Sequence, residues 1–105
     1  MPTQLALTNG AAHLLRNVLS VPDALSTLKD KFAAGVLLCG SLETLPEQPK
    51  DESSAVVWMK EPWRTIELTS SQHEACKTAL GKVMDKLPCG YATNSLISAL
   101  GMEPD

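Results

Sequence analysis

Apolar residues recur at spacings of three and four along most of this chain, and the rhythm breaks once, near residue 55. Ala11, Leu14, Leu15, Val18 and Leu19 make the first stripe and predict a helix capped by Thr8 or Asn9. Val21-Pro22-Asp23 ends it. Pro22 also suits the first turn of a second helix, with Ser20 as its cap and Asp23 at the positive end of its dipole. That helix is expected to be the longest, over residues 23–44. Leu25, Leu28, Phe32, Val36 and Cys39 form its stripe, and Cys39 reads as a packing residue. From residue 36 onward Leu37, Leu38, Leu42 and Leu45 widen the stripe until most of the circumference is apolar, which predicts burial. Ala33-Ala34-Gly35 and Gly40-Ser41 are small enough to let another helix approach.

Residues 46–54 carry two prolines and no period, and predict an exposed polar linker. The next segment, 55–68, is rich in β-formers around Glu61-Pro62 and predicts a β-hairpin with Pro62 in the second turn position. Lys60 then faces Thr65, Met59 faces Ile66, Trp58 faces Glu67 and Val57 faces Leu68. A lone hairpin is marginal in water, so it must lie on the helices or pair with another strand. Thr69 followed by Gln72 is a capping box, with Ser71 and Glu74 as a second register. It opens a helix over 70–86 with Cys76, Leu80, Val83, Met84 and Leu87 on one face. Pro88-Cys89-Gly90 breaks that helix. Thr93 or Asn94 caps a short last one carrying Leu96, Ile97 and Leu100, and Gly101 stops it. The fold class is therefore α+β: three main helices, a short C-terminal helix, and one hairpin beside them.

A length of 105 residues is one domain. With four aromatic residues, its core must be built mostly from Leu, Val and Ala. A core of that kind in a small domain is often completed by a second subunit, which points to a homodimer. The net charge of −3 argues against a nucleic-acid or anionic-membrane binder, since both need a basic face. Three cysteines, none in a C-x-x-C, and no charged-then-apolar leader indicate reduced thiols and a cytoplasmic protein. No apolar run approaches the ~18 residues of a membrane span.

Candidate chemistry is sparse. His73 and Cys76 lie one turn apart, with Cys89 after them, and thiolate and imidazole are zinc ligands. No second ligand pair accompanies them. Cys89 is also the best candidate for an exposed thiol, but it follows a helix C-terminus, the wrong end for a stabilised thiolate. Gly35 to Ser41 has the glycines of a phosphate loop without its lysine. Glu47, Asp51 and Glu52 sit in the linker, where nothing tunes a carboxylate for acid–base work. The last helix has no Arg, Lys or Gln to read bases. Lys77, Lys82 and Lys86, with Lys60 and Arg64, make at most a basic strip for weak nucleic-acid binding.

The expected function is a non-enzymatic protein-binding module without a cofactor. Val36, Leu37, Leu38, Leu42 and Leu45 are expected to self-associate. Trp58, Met59, Trp63 and Arg64 are expected to face a protein partner, because Trp, Met and Arg are favoured at interfaces. The alternatives are a metal- or thiol-dependent protein using His73, Cys76 and Cys89, and a weak nucleic-acid binder.

Overall fold

A computed structural model describes residues 3–21, 23–45, 47–87 and 90–101. In chain order the elements are β1 (Thr3–Thr8), α1 (Asn9–Leu19), α2 (Leu28–Cys39), α3 (Glu52–Lys60), β2 (Pro62–Leu68), α4 (Ser70–Val83), a 3-10 turn (Met84–Lys86) and α5 (Tyr91–Ala99). The class is α+β, with one antiparallel pair of strands among helices. No helix among the described residues is long and apolar enough to cross a membrane.

The strand pair differs from the expected local hairpin. Residues 62–68 are extended, but their partner is β1, with Leu5 opposite Ile66, Ala6 opposite Thr65 and a register irregularity between Leu7 and Thr8. The first arm of 55–68 is instead helical. Asp51 caps α3, its Oδ2 accepting from Ser54 N at 2.9 Å and from Ser54 Oγ at 3.0 Å. These bonds hold the Asp51 carboxyl below its usual range. Glu52 in the first turn and Lys60 in the last complement the helix dipole. The cap and the end charges offset the cost of placing Val56 and Val57 in a helix. Glu61 precedes proline and is extended (φ −72°, ψ 140°), so α3 ends there and β2 begins.

β1 and β2 alternate. Leu5, Leu7, Ile66 and Leu68 are buried, while Gln4, Ala6, Thr65 and Glu67 are exposed. β1 packs on α1 and α5, which gives the two-stranded sheet the support it lacks alone. Two hydrogen bonds fasten the junction of α3 and β2 to the start of α1: Asn9 N donates to Glu61 O at 2.9 Å, and Asn9 Nδ2 donates to Trp58 O at 3.0 Å. Gly10 is required beside them, because a Cβ there would meet Met59 Cγ at 2.8 Å and Met59 O at 3.1 Å.

The core is Leu5, Leu15, Leu42, Leu68, Leu80, Leu96 and Leu100, with Val18 and Cys76. Ala11 and Ala12 of α1 and Ala75 and Ala79 of α4 are fully buried, and these two helices pack together. Thr8 caps α1, accepting from Ala11 N at 3.3 Å. Thr69 and Gln72 form the expected box at α4: Gln72 N donates to Thr69 Oγ1 at 3.1 Å and Thr69 N to Gln72 Oε1 at 2.9 Å. Replacing Thr69 with Ala should lower stability by about 1 kcal/mol, read as a shift in the urea midpoint at constant slope. At α5 the stop is Gly101, at φ +74°, as its position suggests.

The expected long helix over 23–44 is shorter and begins later. Thr27 Oγ1 accepts from Asp30 N at 3.1 Å and starts α2 at Leu28. Before it, a turn closed by Ala24 N on Val21 O buries Ala24 and Leu25. Beyond Cys39 the chain turns at Gly40, and Leu42 N returns to Leu37 O at 2.9 Å, which swings Leu42 into the core.

Candidate functional site

α2 carries two apolar faces on opposite sides. Ala33, Ala34 and Leu37 are buried, and α2 packs mainly on α4. The other side carries the larger residues. Leu28 is 84 % exposed, Phe32 75 % and Val36 47 %, and Cys39 at the end of the same stripe is exposed too. At spacings of four, Leu28, Phe32 and Val36 stand in one row along the helix. Leu28, Phe32, Val36 and Cys39 belong to the stripe expected along the long helix; its first member, Leu25, is buried, and the structure turns the rest outward. The reason is size: the small side chains of Ala33 and Ala34 let α2 lie close to α4.

The row borders a groove of about 570 Å³ between α2 and the start of α4. Leu28, Phe32, Ala33 and Val36 form one wall, and Thr69, Ser71 and Gln72 the other. Lys29 is the one charged residue of this lining. These exposed side chains form a contiguous apolar patch beside the groove. The capping box that opens α4 also fixes the far wall.

Of the residues expected to self-associate, Leu37 and Leu42 are in the core, at 2 % and 0 % exposure, and cannot meet a partner. Leu38 and Leu45 are half-buried against that core, and Val36 alone belongs to the exposed row. Cys39, expected to be packed, is exposed. The signal for the outer row was present in the sequence as Leu28, Phe32 and Val36. What sequence spacing could not give was which of the two apolar faces of α2 meets the core.

The four residues expected at a protein partner lie on two different elements. Trp58 and Met59 are half-buried on α3, with the Trp58 ring edge-on to His13 at 5.1 Å. Trp63 and Arg64 are on β2. The Arg64 guanidinium covers the Trp63 ring at 4.2 Å and donates to Thr44 O at 3.2 Å. Both side chains are thereby tied to this chain's own groups. Lys60 of the basic strip lies 5.6 Å from the Tyr91 ring centroid.

His73 and Cys76 also serve the fold. His73 Nε2 donates to Leu100 O at 3.1 Å, occupying a carbonyl at the end of α5 and tying that end to α4. Cys76 is fully buried, and burial pushes its thiol up to about 12. Among the described residues no three His, Cys, Asp or Glu side chains cluster to hold a metal. Cys89 lies outside the described residues. Under native conditions at pH 8, iodoacetamide should label Cys39 and leave Cys76 unmodified until denaturant is added, as read by peptide mass mapping. The raised thiol also sets a sign for pH. Its contribution to stability is complete below pH 9 and falls as pH rises toward 12, because only the unfolded chain ionises easily there. Cys76→Ala should remove that part of the alkaline loss.

No known family matches the chain, and neither a curated protein nor a solved structure does.

Proposed function

We propose that this protein is a non-enzymatic protein-binding module whose docking face is the outer row of α2 with the groove beside it. The observation that carries the reading is the exposure of Leu28, Phe32 and Val36 on a helix whose opposite side already packs in the core. A domain of this size with a buried Leu and Ala core has no structural use for a second large apolar face. Burying that face on a partner gains free energy in proportion to its area. The half-buried tryptophans are secondary here, since Trp63 is already covered by Arg64.

The test is capture from the expressing cells with wild-type protein, Phe32→Asp, and Trp63→Ala side by side. A protein retained by the wild type and by Trp63→Ala, but lost by Phe32→Asp, supports the reading. A partner lost only by Trp63→Ala returns the interface to β2 and overturns it.

A further inference from the structure

We infer that the occupant of the α2 face is a second copy of this chain, packed antiparallel about a two-fold axis at Phe32. The inference rests on the docking face proposed above and names what covers it.

Area is the first argument. An aromatic side chain covers roughly 150–250 Å², so the exposed three quarters of Phe32 is on the order of 150 Å². With Leu28 and Val36 the row presents roughly 400 Å², as large as the biggest apolar patch on an ordinary monomer. Two copies would bury roughly 800 Å² of apolar surface. About two thirds of a homodimer interface is apolar, so the total is roughly 1,200 Å², at the lower end of the range of stable specific pairs.

Shape is the second. A two-fold interface uses one patch on both partners, so the patch must offer both a ridge and a groove. Here they are adjacent: the row of Leu28, Phe32 and Val36, and the space walled by Thr69, Ser71 and Gln72. Rows at spacings of four interdigitate when helices cross at about −50°.

Charge decides the direction. The face carries no acidic residue in its lining to attract a basic partner, and its charge is Lys29. A parallel pair would set the two Lys29 side chains at the same height along the axis. An antiparallel pair about Phe32 separates them by about 9 Å along the axis. It sets each Lys29 level with Gly35 of the other copy along the axis, and Gly35 presents no side chain there. The two helix dipoles also oppose.

Sedimentation equilibrium should show a dimer for the wild type. Phe32→Asp and Leu28→Glu should each weaken it at least about thirtyfold, the effect of losing a central anchor. Both variants should keep the wild-type far-ultraviolet spectrum, and the melting temperature of wild-type protein diluted until it is monomeric, because neither residue supports the monomer. Direction is read by disulfide trapping in protein carrying Cys39→Ser and Cys89→Ser. Leu28→Cys mixed with Val36→Cys should cross-link faster than Leu28→Cys alone.

A wild type that stays monomeric to millimolar concentration overturns the second copy, and leaves the docking face to the capture experiment. A dimer that survives both charge variants moves the interface elsewhere and overturns it too. If the variants unfold, the row supports the monomer and both readings fall. Wild-type monomer that binds phosphatidylcholine–phosphatidylglycerol vesicles, and loses them on Phe32→Asp, would assign the face to a lipid surface instead.

Discussion

Leu42→Glu should abolish the fold rather than loosen a dimer. Leu42 has no exposed surface, and the turn through Gly40 aims it into the core with its amide bonded to Leu37 O. Substitution deletes a buried leucine, worth 2–5 kcal/mol as Leu→Ala in comparable cores. It also leaves a carboxylate without a partner, costing several kcal/mol more. A domain of this size has a total stability of about 5–15 kcal/mol. Circular dichroism at 25 °C should therefore show a largely unfolded chain, at any protein concentration. A folded monomer would mean that Leu42 faces outward after all. Its contrast is Phe32→Asp, which should change association and not the spectrum. The two substitutions separate the two apolar faces of the same segment.

The second large effect is expected at β1. Leu5→Asp should unfold the protein or lower its melting temperature by more than 15 °C, since a loss of about 3 kcal/mol moves a domain of this size roughly that far. Leu5 is fully buried and pairs with Ile66 across the sheet. Its neighbour Ala6 is exposed on the other face, so Ala6→Lys should stay within about 0.5 kcal/mol of wild type. The pair of variants checks the register, because a one-residue slip would exchange their effects. Similar losses from both would show that β1 is not seated as described.

Much of the helical framework was legible locally. The Thr69 and Gln72 box, the Thr8 cap, and Gly101 after α5 act within one turn of chain, so a few residues decide them. The α+β class was legible because β-forming residues cluster at 55–68 amid the helical period, although only 62–68 is extended and the first arm is helical. The exposed row of α2 was half legible. Leu28, Phe32 and Val36 are visible as a row, yet the widening at Leu37, Leu38 and Leu42 draws attention to residues that the core consumes.

By itself, then, the sequence determined where α1 and α4 begin, where α5 stops, and that residues 62–68 would be extended. Those outcomes rest on hydrogen bonds between residues three or four apart. Tertiary structure alone decided three things. It chose β1 over 55–60 as the partner of β2, because Leu5 and Leu7 bury a face against α1 and α5 while the Asp51 cap keeps α3 helical. It cut the 23–44 segment at Thr27 and Gly40, where a cap and a turn send Leu25 and Leu42 inward. And it turned the larger apolar face of α2 to the outside. The small residues Ala33 and Ala34 let α2 approach α4 closely, and a row as bulky as Leu28, Phe32 and Val36 does not. Spacing along a helix reports that a face is apolar; only packing between helices selects which apolar face is buried.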